Sequence, residues 1–176
     1  MKTYLIADTH FGHQGVCNFL RADGTKLRPW NKSQDMDSEL IQRWNSTVKQ
    51  EDKVYHLGDV AMSKRHLEVV GMLNGTKVLI KGNHDREKLS MYSRLFKDVR
   101  AYHLLDNYIL SHVPIHPGSK GRFKGNIHGH THYNAVHNEK GELDNWYFPV
   151  SVEHINYTPI DFEEIKKRYE ITRPRT

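Results

Sequence analysis

The sequence predicts an α/β fold, because strand-like and helix-like segments alternate along the first half of the chain. Short runs rich in Val, Ile, Leu or Tyr, each bounded by Gly, Asn, Asp or Pro, are typical of buried strands. Between several of them, apolar residues recur at the spacing of one helix face. Alternation of this kind is typical of parallel strands joined by helical crossovers. The second half of the chain is mostly strand-like.

Seven strands and four helices are predicted. The strands cover residues 2–7, 53–57, 77–81, 99–104, 107–112, 125–130 and 146–152. The helices carry, in chain order, Leu40, Ile41, Trp44 and Val48; Leu67, Val70 and Leu73; Leu89, Tyr92 and Phe96; and the residues from about Phe162 to Tyr169. Ser63 is a candidate N-cap for the second helix, and Asn74-Gly75 is expected to end it.

Length and composition favour one domain. The 176 residues can bury a substantial core and show no repeat or linker, so residues 1–176 are predicted to form a single domain. The single cysteine, Cys17, excludes a disulfide-stapled secreted scaffold and favours the reducing cytoplasm. No run reaches the ~18–20 apolar residues of a membrane span, so no membrane partner is expected. The formal net charge of +5 would favour the approach of phosphate-bearing ligands.

Metal-binding side chains follow five of the predicted strands, at the ends where ligands of α/β sheets bind. In chain order the motifs are Asp8-Thr9-His10, Gly58-Asp59, Gly82-Asn83-His84-Asp85, Ser111-His112 and Gly129-His130-Thr131-His132. Oxygen and imidazole donors without cysteine suit Mn, Fe, Zn and similar divalent ions. Asp8 and His10 are two residues apart, so an extended backbone would direct both toward one ion. His130 and His132 repeat this spacing.

The glycines within these motifs are also informative. Those that precede Asp59, Asn83 and His130 are expected at sharp turns or where the backbone comes close to a ligand. One alternative stays open for the last motif. His128 shares strand parity with His130 and His132, so the metal-binding pair could be shifted by two residues, although the position of the glycine argues against the shift.

In this order, the five motifs resemble those of the calcineurin-like metallophosphoesterases: D-x-H, G-D, G-N-H-D, a lone His and G-H-x-H. They span residues 8–132. The run from Asp8 to His13, Arg28-Pro29-Trp30 and Trp44-Asn45 look like a small subgroup of bacterial and phage phosphoesterases. The resemblance implies a four-layer α-β-β-α sandwich, with two packed mixed sheets, flanking helices and an active site at one rim.

The resemblance further implies a site for two divalent metal ions. The first ion would be held by Asp8, His10 and His132, the second by Asn83, His112 and His130, and Asp59 would bridge both. A shared carboxylate lowers the repulsion between two dications ~3.5–4 Å apart, and a hydroxide between the ions would attack phosphorus. Because the donor set is harder than a Cys-rich zinc site, Mn is the expected metal, with Ni, Fe, Zn and Mg as alternatives.

Two catalytic side chains are expected beside the metal ligands. His84 looks like the general acid that protonates the departing oxygen, since it is next to a ligand and is not expected to bind metal itself. Asp85 is expected to orient the His84 ring and to lie near the positive N-terminus of the third helix.

Three further residues are candidates for substrate contacts: His13, Arg28 and Arg122. His13 follows His10 by three residues in a glycine-flanked loop. Arg28 and Arg122 lie in two basic stretches that could cap the site, and each could hold a phosphate in a forked grip. Charged stretches of this kind are more often solvated loops. The other histidines are expected to be packing or surface residues.

The function predicted from these residues is hydrolysis of phosphodiester bonds by a dinuclear metal-dependent phosphoesterase. A short chain with no basic arm for duplex DNA favours small substrates: nucleotides, cyclic nucleotides or short nucleic acids. The alternatives are a phosphomonoesterase acting on small molecules or phosphoproteins, which would need more positive charge around the phosphate, and a non-catalytic scaffold on the same fold. The scaffold would be expected to show degraded ligands or a missing acid, and both are intact here.

Overall fold

The structure, a computed structural model, describes residues 1–172, and its strands form two mixed sheets. The first sheet contains β1 (Thr3–Ile6), β2 (Lys53–His56), β3 (Thr76–Ile80), β4 (Asp98–Arg100) and β9 (Ile160–Asp161), in the order β4-β3-β2-β1-β9. The second contains β5 (Tyr102–Leu105), β6 (Tyr108–Ser111), β7 (Gly125–His128) and β8 (Tyr147–Pro149), in that order. Strands β1–β4 are mutually parallel, as are β6–β8, whereas β9 and β5 are antiparallel edge strands. The α/β prediction is therefore confirmed.

Within the described part of the chain, five α-helices accompany the sheets: α1 (Gln14–Asn18), α2 (Ser33–Thr47), α3 (Lys64–Leu67), α4 (Leu89–Leu95) and α5 (Phe162–Thr172). The second predicted helix is shorter than expected, because α3 gives way to a 3₁₀ segment over Glu68–Met72. Ser63 makes no side-chain capping bond to this helix, and its hydroxyl instead lies 2.9 Å from Nδ1 of His66. None of the helices within residues 1–172 has the length and apolar content that a bilayer crossing requires.

The predicted strand over residues 99–104 is wrong as a single element. The chain forms β4 and then β5, which pair with β3 in the first sheet and β6 in the second. Alternating apolar residues are the same in one long strand and in two short ones, so the pattern cannot reveal where a chain changes sheets. The two-residue strand β9 was also missed, since so short a segment has no readable period.

One buried apolar cluster joins the two sheets. Leu5 and Leu79 of the first sheet and Leu110 and Ile127 of the second belong to it, all with no exposed surface. Helix α2 adds buried Trp44 to the same cluster. Because these side chains are buried together, the two sheets keep a fixed position relative to each other. Any site built from loops of both sheets requires this.

Hydrogen bonds between the segments that follow the strands continue from one sheet to the other. The Asp8 amide donates to the Gly58 carbonyl at 3.0 Å, and the Gly129 amide donates to the His112 carbonyl at 2.9 Å. The sheets themselves meet where the Ala7 amide donates to the Val150 carbonyl at 2.8 Å. The carboxyl ends of strands from both sheets are thereby brought to one edge of the molecule.

Candidate metal centre

All seven predicted metal ligands converge at this edge. Ligand-type atoms within 4.8 Å of one another form two sets, the first from Asp8, His10 and His132 and the second from Asp59, His112 and His130. Asn83 joins the second set, because its Oδ1 lies 2.8 Å from Nε2 of His112 and 3.0 Å from Nδ1 of His130. The second set thus supplies a carboxylate, an amide oxygen and two imidazoles.

Asp59 lies between the two sets. Its Oδ2 is 3.6 Å from Nε2 of His10, a member of the first set, and 3.4 Å from Nε2 of His112, a member of the second. Its Oδ1 accepts a hydrogen bond of 2.8 Å from the His84 amide. One carboxylate oxygen is thus held by the backbone while the other faces ligands of both sets, which is the placement that a shared ligand requires.

The first set contains buried polar atoms without hydrogen-bond partners. Both ring nitrogens of His10 and Oδ1 of Asp8 are in this state. The other Asp8 oxygen accepts bonds from the His130 amide at 2.8 Å and from the Ser151 hydroxyl at 2.7 Å. Leaving a buried acceptor unsatisfied costs about 1–3 kcal/mol, so such atoms are rare without a functional reason. A divalent cation is the partner that this donor set fits.

Five of the seven ligands have left-handed backbone conformations. They are Asp8 (φ 58°), His10 (φ 49°), Asp59 (φ 57°), His130 (φ 70°) and His132 (φ 50°). Non-glycine residues at positive φ are uncommon and cluster at functional sites. The expectation of extended backbone within the two His-containing pairs was wrong. Asp8 and His10 do belong to one set, whereas His130 and His132 are divided between the two sets. Left-handed residues, rather than strand alternation, aim these side chains.

Close backbone approach explains two of the motif glycines. Gly58 has φ +92°, and a Cβ there would lie 2.7 Å from Nδ1 of His112. A Cβ at Gly129 would lie 2.7 Å from Oδ2 of Asp8 and 2.6 Å from Cβ of Ala7. All three distances are too short for any side chain, so the prediction of close approach at these glycines is confirmed.

Hydrogen bonds from the far side of the rings orient two histidine ligands. Nδ1 of His112 lies 2.8 Å from the Leu57 carbonyl, to which it donates, so that Nε2 faces the site. Nδ1 of His132 lies 3.1 Å from Oε1 of Glu153. Carbonyl and carboxylate partners of this kind set the tautomer of metal-binding histidines. Sequence reasoning missed Glu153; an acidic residue directly after the apolar run of β8 was the available signal.

Burial and charge shift the pKa values of the ligands in different directions. Burial raises the pKa of the Asp8 carboxyl to about 6. Burial also acts to raise the pKa of Asp59, but the hydrogen bond and charge of His112 outweigh it and lower the value to about 2. Burial, with the nearby Arg28 charge, holds the pKa of His10 well below its ordinary value. Asp59 is therefore ionised and His10 neutral at pH 7, the forms that bind metal.

Arg28 does not contact substrate, so that prediction is wrong. Its side chain is fully buried and its Nε lies 2.8 Å from Oε1 of Glu153. Nη1 and Nη2 donate to the carbonyls of Thr9 and Asp8 at 2.9 and 2.5 Å. Arg28 therefore supports the left-handed turn of the first motif from behind, and every one of its guanidinium nitrogens already has an acceptor.

Arg122 is also not brought to the site. It is exposed and lies just before β7, at the amino end of that strand, whereas His130 and His132 follow the carboxyl end. The sequence placed it shortly after His112, but the connection between β6 and β7 returns the chain to the opposite edge of the sheet before Arg122 is reached. Parallel pairing requires this return.

Asp85 has a different role from the one predicted. Oδ1 accepts from the Val60 amide at 2.9 Å, and Oδ2 accepts from the amides of Asp59 and Gly82 at 2.9 and 2.8 Å. Both oxygens thus bind backbone rather than the His84 ring. Helix α4 begins only at Leu89, so its N-terminus is not what holds Asp85. Asp85 instead ties the loop of Asp59 to the loop of Asn83.

Three other histidines are relevant to the site: His84, His13 and His128. The half-buried rings of His84 and His13 each lie 5.5 Å from the His10 ring, measured between centroids. Nδ1 of His13 accepts a bond of 3.0 Å from the Val16 amide at the start of α1. His128 is buried within β7 with Nδ1 2.8 Å from the Gly129 carbonyl, and it belongs to neither ligand set. The structure therefore groups His130 and His132, and not His128, with the candidate ligands.

Comparison with known proteins shows relatives along nearly the whole chain. No family model matches the sequence. An uncharacterized protein of Methanocaldococcus jannaschii, MJ1445, is 34% identical over 180 residues, which are 96% of this chain and 92% of the relative. The Gene 66 protein of Mycobacterium phage D29 is 30% identical over 205 residues, which are 93% of this chain and 98% of the relative. The crystal structure of AQ665 from Aquifex aeolicus, a protein of unknown function, is 25% identical with a TM-score of 0.67 and covers 94% of this chain and 98% of that one. The chain therefore belongs to the family that includes MJ1445 and the Gene 66 protein of phage D29.

Proposed function

We propose that the protein is a dinuclear metal-dependent phosphoesterase of the calcineurin-like type, which hydrolyses phosphodiester bonds in nucleotides, cyclic nucleotides or small nucleic acids. The observation that carries the proposal is the Asp59 carboxylate, whose Oδ2 faces His10 of one ligand set and His112 of the other. A carboxylate shared between two sets of oxygen and imidazole donors is the arrangement expected for a pair of dications.

In this proposal, Asp8, His10 and His132 hold one ion, Asn83, His112 and His130 hold the other, and Asp59 holds both. Bound divalent ions supply a nucleophile from water at neutral pH and stabilise negative charge on the phosphoryl oxygens. The absence of cysteine from the donor set supports Mn first and Ni, Fe, Zn or Mg as alternatives.

His84 is the proposed proton donor to the departing oxygen. Its ring is half-buried beside His10, and its amide is anchored on Oδ1 of Asp59, so the ring is carried by the same loop that completes the metal centre. General-acid catalysis by a positioned side chain contributes about 10²–10⁴-fold to a rate. His13, whose ring lies 5.5 Å from that of His10, remains the proposed substrate contact.

The displacement of both candidate arginines from the site favours the diester over the monoester alternative. A phosphomonoester carries more negative charge, and its hydrolysis benefits from free cationic side chains around the phosphate. Neither of the two arginines predicted for this purpose supplies charge at the site. Arg28 is bound by buried acceptors, and Arg122 lies at the opposite end of β7. The metal ions would then carry most of the charge stabilisation.

Two finer points belong to the same proposal. The common core of both sheets and the apolar faces of α2, α4 and α5 that pack into it support a four-layer α-β-β-α sandwich. The buried free thiol of Cys17 supports a reducing, cytoplasmic location.

The test is to load the metal-free protein with Mn, Ni, Zn, Mg or Fe and to assay each form against paired diesters and monoesters, cyclic nucleotides and oligonucleotides. We expect diester hydrolysis with at least one metal, Mn first. Asp59→Asn should lower both the metal content, measured by elemental analysis, and the rate. The exposed Glu170→Gln is the matched control and should change neither. Active protein without bound divalent metal, or loaded protein that hydrolyses no ester, would overturn the proposal.

His84→Ala separates the acid from the metal ligands. Turnover of diesters with alkoxide leaving groups should fall about 10²–10⁴-fold, because such groups need protonation, while the metal content stays that of the wild type. Esters with a nitrophenolate leaving group should be affected much less. Unchanged turnover on every ester would show that His84 is not the acid.

A further inference from the structure

An exposed aromatic side chain stands at the rim of the metal centre. Phe19 follows the short helix α1 and remains 52% exposed. Its ring centroid lies 5.8 Å from that of His13, in an edge-to-face arrangement, and the His13 ring lies 5.5 Å from that of His10. Aromatic rings thus lead outward from the first ligand set in a row.

Gly15 permits the close approach of the two outer rings. A Cβ at this position would lie 3.0 Å from Cε1 of His13 and 3.3 Å from Cζ of Phe19. The absence of a side chain at Gly15 lets the two rings pack edge to face against each other. Nδ1 of His13 is committed to the Val16 amide, so the inner ring is fixed in orientation.

The segment that carries Phe19 is held against the loop of His132. The Leu27 amide donates to the Phe19 carbonyl at 2.8 Å, and the Ala22 amide donates to the hydroxyl of Tyr133 at 3.0 Å. Arg21 also lies over the Tyr133 ring, 5.2 Å from its centroid. The position of Phe19 relative to the ligand sets is therefore set by contacts rather than left to a free loop, and a preorganised contact costs less to use in binding.

We propose that Phe19 and His13 form a stacking platform for the nucleobase of a nucleotide ester whose phosphate lies at the metal centre. The inference rests on the proposed function and narrows its substrate class. Proteins that bind single-stranded nucleotides stack bases on Phe and His side chains, with little dependence on which base it is. Phe19 offers an exposed ring, and the edge-to-face contact with His13 holds that ring in place. The platform therefore selects for a planar base without selecting its identity.

The experiment compares two esters that differ only in the base: the methyl ester of adenosine 5′-phosphate and the corresponding methyl ester of methyl riboside phosphate. They are assayed with the Mn-loaded wild type and with Phe19→Leu, Phe19→Trp and Leu20→Ala. Leu20 is the matched control, an exposed apolar neighbour on the same hairpin. Calorimetric titration with adenosine 5′-monophosphate and with ribose 5-phosphate measures binding without turnover.

In the wild type, the adenosine ester should have a KM roughly tenfold or more below that of the ribose ester, because the binding free energy of one base stacked on an aromatic ring corresponds to such a change. Phe19→Leu should remove this difference and leave kcat for the ribose ester unchanged, while Phe19→Trp and Leu20→Ala should retain it. Equal KM values in the wild type, or a difference that survives Phe19→Leu, would overturn the platform while hydrolysis still supports the phosphoesterase. If neither ester is hydrolysed, the phosphoesterase proposal fails, and equal affinities in the titrations would then reject the platform as well.

Discussion

A buried ion pair supports the first ligand set from outside it. The side chains of Arg28 and Glu153 have no exposed surface, and Oε1 of Glu153 lies 2.8 Å from Nε of Arg28 and 3.1 Å from Nδ1 of His132. Burial would raise the pKa of Glu153, but the charges of Arg28 and His132 outweigh it and lower the value to about 2. The carboxylate is therefore ionised at neutral pH and neutralises a guanidinium that the core could not otherwise hold.

Glu153→Gln should destabilise the protein strongly, because it leaves the Arg28 charge buried and uncompensated. Breaking a buried pair from one side costs about 3–5 kcal/mol. Denaturant unfolding of the metal-free protein measures this effect, with the exposed Glu163→Gln, which pairs with Lys166 on the surface, as the control. A loss below about 1 kcal/mol for Glu153→Gln would mean that Arg28 finds another partner.

His56 makes the stability depend on pH. It is almost wholly buried, and burial lowers its pKa to about 3 from the ordinary 6.5. The Thr9 hydroxyl donates its proton to the Val60 carbonyl at 2.8 Å. Its oxygen lies 2.9 Å from Nε2 of His56 and therefore accepts a hydrogen bond from the N–H of that ring. The ring is thus held neutral, with Nδ1 lacking a partner.

Between pH 6.5 and about 3, the unfolded chain therefore protonates His56 whereas the folded protein does not. The stability that this group contributes is fully present above pH 6.5 and falls as the pH falls through this window, by up to about 1.4 kcal/mol per pH unit. Urea unfolding of metal-free protein at pH 7, 6 and 5 should show a smaller loss for His56→Gln than for the wild type. Equal pH slopes for the two proteins would show that His56 is protonated in the fold.

At the level of elements, the site depends on loops that come together at very short distances. Asp85 ties the segment after β2 to the segment after β3 through three backbone amides. Gly129, directly after β7, brings that strand against Ala7 and Asp8 after β1. Because these contacts are made by backbone, the ligand positions are set by how strands end rather than by long flexible side chains.

Gly129→Ala tests this dependence. Its Cβ would lie 2.6 Å from Cβ of Ala7 and 3.2 Å from the Leu57 carbonyl, so backbone must shift, at a cost of roughly 1–3 kcal/mol. Metal affinity, measured by calorimetry, should fall together with the stability. Gly71→Ala is the control, since its Cβ would meet only Leu95 at 3.9 Å. Wild-type metal affinity in Gly129→Ala would show that the loops tolerate displacement.

At the level of the whole molecule, each ligand set draws on both sheets. Asp8 and His10 follow a strand of the first sheet while His132 follows a strand of the second, and the same division separates Asp59 and Asn83 from His112 and His130. A cation bound at either set would therefore link the sheets. Binding to the folded state alone stabilises it in proportion to the logarithm of ligand concentration.

Removal of metal should accordingly lower the thermal stability of the entire chain. Mn at about 100 times its Kd should stabilise the fold by about 2.7 kcal/mol for each occupied site over the chelated protein, and Tm should rise further with each increase in concentration. Calorimetric scans with and without a chelator measure this shift, which Asp59→Asn should reduce. A Tm independent of Mn would argue against cation binding at these sets.

Much of this arrangement can be read from the order of residues, since periodicity shows the α/β class and five short motifs point to all seven side chains that converge. The sequence could not show which side chains support these seven from outside the site. Arg28 and Glu153 are 125 positions apart, and a basic residue near a motif looks the same whether it faces a phosphate or a buried carboxylate. Likewise, a histidine–aspartate dipeptide cannot show that the carboxylate of Asp85 turns toward three amides. The local sequence pattern shows which side chains are present in each motif. Which groups they bind depends on desolvation and on contacts between distant segments. Both arise only when the chain folds.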